Sequence, residues 1–448
     1  MQRTNLNPFL LTIMNNTTSH DKKTKRFLKR IQRNAAFELS KLREIPDTPE
    51  AMAYFYDIME AVFVRNEPER IIDPGAENPV AIGVYCMLVP EELIYAAGAI
   101  PVRLCAGSFE ALQMGEDFVP RDGCPLVKSA MGFSVQPGLK LADQCDVVIV
   151  PTTCDCKRKL GEELSRFKDV WMLEVPHIKD ANFSRRIWTE QIYALKNRLE
   201  TYMRDVRSKQ KITSKRLGHA IQHIGSAQAE IRRLLNIRAK TSPVIWGRQA
   251  MAAFNAYAYA PVSTWTDALK ALNTELEAND RGGRPVCPEN TPRILIAGSP
   301  SIFPNLKIPA LVEEMGGIVV FDESCAGDRY MYDPVGSTEN NLRDQMTAIS
   351  SRYMAPCICP SFAPNDDRLI TIKRTVSDYG ADGVLYHVLK GCIIYDFEVL
   401  RVEKMLKDLG VPLLRVETDY NPEDVEQLRT RIEAFIEMMK TSKENKEK

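Results

Sequence analysis

The sequence predicts an α/β protein of two wound, mainly parallel-sheet domains, with a helical insertion between them and a helical extension at the N-terminus. Three observations predict it. Short β-branched runs such as "DVVIV" and "IVVF" alternate with stretches of helical length, as a parallel sheet with crossover helices requires. The alternation occurs twice, separated by a charged helical region from about residue 182 to 280. With 448 residues, the chain has enough length for two separate cores.

Residues 1–50 are polar and basic with helical stretches ("KTKRFLKRIQRNAAFELSKL") and read as an extension packed on the body or on a partner. The first α/β domain is set at 51–181, its strand–helix pattern beginning near residue 79. "PVAIGVYCM" reads as a buried strand, and "PEELIYAAG" as a helix opened by Pro90 and closed by Gly98. "IPVRLC" is a second strand, "CPLVKSAMGF" a short helix entered at Cys124, and "CDVVIVPTT" a strongly β-branched strand. "CDCKRKLGEELSRF" follows as a helix and "VWMLEVP" as a strand.

Residues 182–285 form the helical insertion and linker, with "RRIWTEQIYALKNRLETYMRDV" and "SAQAEIRRLLNIRAK" as helices and "RGGRPVCPENTP" as the linker. The second α/β domain is 286–448. Its strands are "RILIAGSP", "IVVFDESC", "DGVLYHVLKGC" and "VPLLRVETD". Its helices are "IPALVEEMGG", "DRLITIKRTVSDYGA", "YDFEVLRVEKMLKDLG" and an amphipathic "NPEDVEQLRTRIEAFIEMM".

Composition excludes several function classes. Lys+Arg and Asp+Glu both number 59, so no global field favours nucleic acid or an anionic membrane. No apolar run approaches the roughly 18–20 residues that would span a bilayer. "NPFLLTIM" is followed by a polar segment without a secretory cleavage pattern. The expectation is a cytoplasmic protein, where disulfides are disfavoured. Its eleven cysteines are then core thiols, metal ligands or catalytic groups.

Their placing points to ligation. Cys154, Cys325 and Cys392 follow apolar strands, Cys124 opens a helix, and Cys357 and Cys359 stand in "APCICPS". In open α/β sheets ligands bind beyond the carboxyl ends of the strands, so two facing sheets would bring both sets of thiols into one cleft. Cys124 and Cys154 lie at helix starts, where free N–H groups favour the thiolate. Structural zinc sites favour closer pairs than these, apart from the two C-x-C pairs Cys154/Cys156 and Cys357/Cys359. Ferredoxin-type runs are missing. An iron–sulfur cluster assembled by the tertiary fold, zinc, and plain buried thiols all stay open on spacing alone.

Other residues read more simply. Lys128 and "KRK" at 157–159 would add positive potential near an anionic group, but the commoner outcome for such charges is a solvated helix face. Glu91 and Glu92 suit the first turn of a helix. His387 reads as a core histidine and Glu398 as helix support. Trp246, Tyr257 and Tyr259 read as packing or dimer-contact residues, and the "GSPSIFPN" loop at 298–305 as a strand-to-helix turn. No catalytic residue is assigned. Neither GxxxxGK[ST] nor GxGxxG occurs, so the chain carries no nucleotide loop of those kinds.

The phrases "GVYCMLVPEELIYAAGAIPVRLC", "CPLVKS", "PTTCD", "ADGVLYHVLKGC" and "VPLLRVETDY" resemble the 2-hydroxyacyl-CoA dehydratase and benzoyl-CoA reductase superfamily, from about residue 78 to 440. The resemblance implies a [4Fe–4S] cluster held by Cys124, Cys154 and Cys392, with one iron open to substrate. It further implies a separate ATP-dependent iron–sulfur activator that supplies electrons, and a two-subunit assembly, here a homodimer.

"RLCAGS", "ESCAGDR" and "PCICPSFAPNDDR" are similar to the double-cubane branch, whose members carry an [8Fe–9S] cluster on six thiolates. That branch adds Cys105, Cys325 and one of Cys357 and Cys359, with Cys359 preferred and Cys86 in reserve. Cys145, Cys156 and Cys287 remain core or surface thiols. Met87, where dehydratase subunits often have Ser, points away from a straightforward dehydratase. The leading expectation is an iron–sulfur reductase acting on a small substrate. The alternatives are a 2-hydroxyacyl-CoA dehydratase subunit and a non-catalytic electron-storage protein.

Overall fold

A computed structural model describes residues 17–68, 80–136, 138–206, 211–329, 333–336 and 340–447. Its architecture is two four-stranded, wholly parallel sheets flanked by helices.

The first sheet contains β1 (Ala81–Val84), β2 (Ile100–Arg103), β3 (Cys145–Pro151) and β4 (Asp169–Leu173), in the order β2-β1-β3-β4. The second contains β5 (Arg293–Gly298), β6 (Ile318–Asp322), β7 (Gly383–Leu389) and β8 (Leu413–Thr418), in the order β6-β5-β7-β8. The two sheets are wound alike. Central strands β1, β5 and β7 are buried along their whole length, which is why they read as unbroken apolar runs rather than alternating ones.

Helices before and between the strands of the first lobe are α1 (Thr17–Arg43), α2 (Met52–Met59), α3 (Glu91–Ala97), α4 (Phe109–Gly115), α5 (Pro125–Val135), α6 (Lys140–Asp143) and α7 (Asp155–Leu164). Pro90 and left-handed Gly98 bound α3 as the sequence predicts. The helical insertion is α8 (Asn182–Val206), α9 (Ser214–Arg238), α10 (Gly247–Tyr257) and α11 (Val262–Arg281). The second lobe adds α12 (Lys307–Glu314), α13 (Leu342–Met354), α14 (Asp366–Asp378), α15 (Ile393–Asp408) and α16 (Val425–Glu447). Among the described residues no helix is long and apolar enough to cross a membrane.

Two elements depart from the sequence reading. No element is predicted between "IVVFDESC" and "DRLITIKRTVSDYGA", yet α13 lies there, capped by the Asn341 side chain accepting from the Asp344 amide. Its apolar face packs on the insertion, where Trp188 Nε1 of α8 donates to Ser350 O at 2.9 Å. In addition α2 precedes β1 and runs on into a π-helical turn at Glu60–Val64.

The insertion also ties the lobes together. Tyr257 on α10 donates to Glu91 at 2.6 Å, and Tyr353 on α13 donates to Glu92 at 2.7 Å. Both carboxylates stand in the first turn of α3, as expected, and are buried and joined to tyrosines. Burial pushes the pKa of Glu92 up. Trp265 of α11 is fully buried, its Nε1 donating to Ala253 O. Tyr257 and Tyr259 are buried packing residues, and Trp246 is half-buried.

Candidate functional site: a thiol-lined cleft

The strand order places a switch point between β1 and β3 in one sheet and between β5 and β7 in the other. Thiols stand just past the strand ends that form these crevices. Cys86 and Cys105 lie two residues beyond β1 and β2, and Cys154, Cys325 and Cys392 lie three beyond β3, β6 and β7. Cys124 sits in the β2–β3 connection, and Cys357 and Cys359 in the corresponding β6–β7 connection.

Local geometry fixes three of them at helix starts. Cys124, Cys154 and Cys392 are the N-cap residues of α5, α7 and α15. Pro125 pre-sets the first turn of α5, and the Lys157 amide donates to Cys154 Sγ at 3.5 Å. Position is then set by close backbone approach. A Cβ on Gly115 would stand 1.9 Å from Lys128 O, and one on Gly132 1.9 Å from Ala111 O, so α4 and α5 cross with their backbones in contact. Gly391 has φ +74° and lies against Asp122 of the other lobe, where a Cβ would be 2.4 Å from the carbonyl oxygen. That contact brings Cys392 to Cys124.

Cys124 and Cys392 share a hydrogen bond between their thiols, with Cys154 within electrostatic reach of both. The bond holds the Cys124 pKa well up and the Cys392 pKa down. Cys105 neighbours Cys86 and Cys124, Cys325 neighbours Cys86 and Cys359, and Cys357 neighbours Cys359 and Cys86. Burial pushes Cys154 and Cys325 up to about 11 and Cys357 to about 12. All eleven cysteines are free of disulfides. Among the described residues no three His, Cys, Asp or Glu side chains gather tightly enough to hold a single metal ion; the thiols lie within electrostatic reach of one another past the strand ends of both sheets.

Cys145 and Cys287 stand apart from these thiols, and Cys156 lies beside Cys154. Cys145 donates to Leu141 O from within β3, Cys156 is half-buried on α7, and Cys287 lies near Thr291 and Arg293.

Three donor groups face the strand-end thiols. Lys157 reaches in from α7, its Nζ donating to Tyr85 O at 2.9 Å. Burial alone would lower its pKa, but the field of Cys86, Cys105, Cys154 and Cys325 outweighs this and holds it up. The Tyr420 hydroxyl, beside Cys124, Cys105, Cys392 and Cys325, is buried with no hydrogen-bond partner among the described residues. Nε and Nη2 of Arg329 are likewise buried and unpaired.

Lys157 and Lys128 therefore overturn the expected solvated face. Lys128 is buried, with Nζ on Arg121 O at 2.5 Å and Glu116 at 3.3 Å. Only Arg158 and Lys159 of the basic trio lie at the surface, in ion pairs with Asp155 and Glu162.

Behind Cys357 and Cys359 lies a buried charge network that sequence reasoning missed. Arg368 is wholly buried and donates to both oxygens of Glu323, at 3.1 and 2.8 Å, to the Tyr386 hydroxyl, and to Glu398. Glu398 also accepts from Asn365, whose amide reaches the carbonyls of Ile358 and Cys359. Glu398 thus braces the Cys357–Cys359 turn rather than its own helix. Burial pushes Glu323 up, but Arg368 and Arg329 more than offset this and keep it low. The carboxylates that pair with Arg368 are 45 and 30 residues away in sequence, so no local signal marks them.

His387 is a core histidine as expected. Its Nδ1 is 2.9 Å from Ser299 O, and burial lowers its pKa to about 4. Ser299, in the "GSPSIFPN" turn, also receives the Leu389 amide and approaches Cys392.

Two like-wound lobes with thiols at matching strand ends define a paired α/β scaffold. The chain matches the family model described as 2-hydroxyglutaryl-CoA dehydratase, D-component, over residues 86–439, and it belongs to that family. It is similar to the "Putative dehydratase subunit YjiM" of Escherichia coli, 31% identical over 407 residues that cover 88% of this chain and 99% of the relative. Lactoyl-CoA dehydratase subunit beta of Anaerotignum propionicum is 21% identical, over 80% of this chain and 91% of its own. (R)-2-hydroxyglutaryl-CoA dehydratase subunit beta of Acidaminococcus fermentans is 22% identical, over 81% and 93%.

Proposed function

We propose that this chain is an iron–sulfur reductase whose cleft holds a double-cubane cluster. The first-lobe ligands are Cys105, Cys124 and Cys154; the second-lobe ligands are Cys325, Cys359 and Cys392, with Cys357 the alternative to Cys359. One observation carries the reading: each lobe contributes a thiol after its second strand, one in the connection between its second and third strands, and one after its third. Cys86, after a first strand, falls outside this repeat and stays a reserve ligand.

The residues present fit such a group. The strand-end donors are soft thiols, suited to iron–sulfur chemistry. The unpaired Tyr420 hydroxyl and Arg329 fork, together with the Lys157 ammonium, match an anionic acceptor-rich occupant. A bound cluster supplies low-potential electrons and, at any iron free of protein ligands, a Lewis acid. The protein's part is to hold and shield. Lys157 places a fixed positive charge among the thiolates, and the strand-end loops of both lobes close off water. The Glu323–Arg368–Glu398 network keeps the Cys357–Cys359 turn from moving as charge in the cleft changes.

In this reading an ATP-dependent iron–sulfur activator protein delivers the electrons, the chain works as a homodimer in the reducing cytoplasm, and a small unsaturated molecule is reduced in the cleft. The second reading, a 2-hydroxyacyl-CoA dehydratase subunit with one [4Fe–4S] cluster on Cys124, Cys154 and Cys392, is favoured by the names of the relatives. Metal and sulfide analysis after anaerobic purification separates them, at about eight irons per chain against about four. Turnover with activator, ATP and a substrate panel separates both from an electron-storage protein; its absence at full cluster loading would favour storage.

A further inference from the structure

Arg329 is held in an unusual way. Its Nη1 donates to Glu323 Oε1 at 3.0 Å and to Ile358 O at 3.2 Å. Glu323 in turn is clamped by both Arg368 bonds, so this side of the guanidinium cannot rotate away. The other edge, Nε with Nη2, is buried and finds no acceptor among the described residues. Those two nitrogens form the side-on fork with which arginine grips an acceptor in parallel.

Besides Glu323, the ionisable groups that act on the guanidinium are Tyr395, Cys325 and Cys357, and its bond to Ile358 O sets it beside Cys357 and Cys359. Glu323 is already engaged on the pinned side. The guanidinium therefore sits against the Cys357–Cys359 turn with its free edge still unfilled, and the residue also borders a cavity that Asp328 and Asp333 line. A buried guanidinium edge without an acceptor is costly, and proteins rarely keep one unless an occupant completes it.

We propose that Arg329 is a positioning residue whose Nε–H and Nη2–H edge donates to sulfur of the cluster in the second-lobe half of the cleft. The proposal rests on the iron–sulfur reading above and goes beyond its ligand set. An N–H directed at sulfur stabilises the more negative state, so it raises the potential at which the site accepts an electron. Because Glu323 lies against the same guanidinium, much of its net charge is cancelled locally, and what reaches the sulfur is the direction of the two N–H bonds. Lysine keeps the charge but has no fork.

The test uses full-length wild type, Arg329→Lys and Arg329→Met, purified anaerobically. Iron and sulfide content comes first, then an EPR-monitored redox titration. The expected result is wild-type iron content in both variants, with midpoint potentials more negative than wild type and altered EPR line shapes in both. Unchanged potentials and spectra in both variants would overturn the proposal while leaving the iron–sulfur reading intact. A wild type without iron would overturn both. Should the variants lose iron, pulsed EPR on reduced wild type labelled with 15N-arginine decides: a guanidinium nitrogen coupled to the cluster supports the proposal, and no coupling overturns it.

Discussion

Replacing Gly391 by alanine tests how the two lobes are locked at the cleft. Gly391 adopts φ +74°, where a side chain costs about 1 kcal/mol relative to glycine. The added Cβ would also lie 2.4 Å from Asp122 O, backbone that cannot swing aside as a flexible side chain would. Relieving that contact forces the Gly391–Cys392 turn off the first lobe, and the total expected cost is about 2–4 kcal/mol.

Guanidinium unfolding of the reduced apo-protein should give a lower midpoint with an unchanged slope. Because the same turn presents Cys392 to Cys124, mild oxidation followed by peptide mass spectrometry should show slower Cys124–Cys392 cross-linking than in wild type. An unchanged midpoint together with an unchanged cross-linking rate would refute the interlobe lock.

Other outcomes follow from the same geometry. Arg368→Met leaves the buried Glu323 and the half-buried Glu398 without their main partner, and should destabilise by about 3–5 kcal/mol in equilibrium unfolding; Glu323→Gln and Glu398→Gln added together should recover part of that loss. Burial raises the Glu313 pKa from 4.5 to about 7 although Arg248 and three backbone amides oppose it. An acid with a raised folded pKa imposes no penalty at low pH, so stability falls as pH rises from about 4.5 to about 7, by roughly 3 kcal/mol at about 1.4 kcal/mol per pH unit. Glu313→Gln should flatten that stretch of the stability–pH curve, and an identical slope would show that Glu313 is not its source. Lys157→Met removes the fixed cation beside the strand-end thiols and should lower iron retention during anaerobic dialysis against a chelator, whereas Lys159→Met at the surface should not.

Much of the fold was legible because its strands obey a simple rule. Strands covered on both faces must be apolar throughout, so "DVVIV", "ILIAG" and "GVLYHVL" mark themselves, and the thiols after them mark the sheet ends. Helix α13 was not legible: "NLRDQMTAISSRYM" has a weak apolar stripe, and its helix is secured by packing on α8 and α9 rather than by its own pattern. Charge was the least legible feature. Lys128 and Lys157 look like solvated helix residues because their acceptors, Arg121 O and Tyr85 O, come from separate segments. The same holds for Arg329 and Arg368, whose partners Glu323, Ile358 and Glu398 gather only when β6, α14 and α15 assemble. Sequence finds the thiols by their place after strands; it does not find the groups that brace them.

The convergence of thiols from both lobes on one inorganic core is tested most directly by an iron anomalous difference map from crystals grown without oxygen. Strong peaks enclosed by Cys124, Cys154 and Cys392 on one side and Cys105, Cys325 and the Cys357–Cys359 turn on the other are the expected result. Iron bound elsewhere, or a cleft closed by direct thiol contacts in fully reconstituted protein, would contradict it.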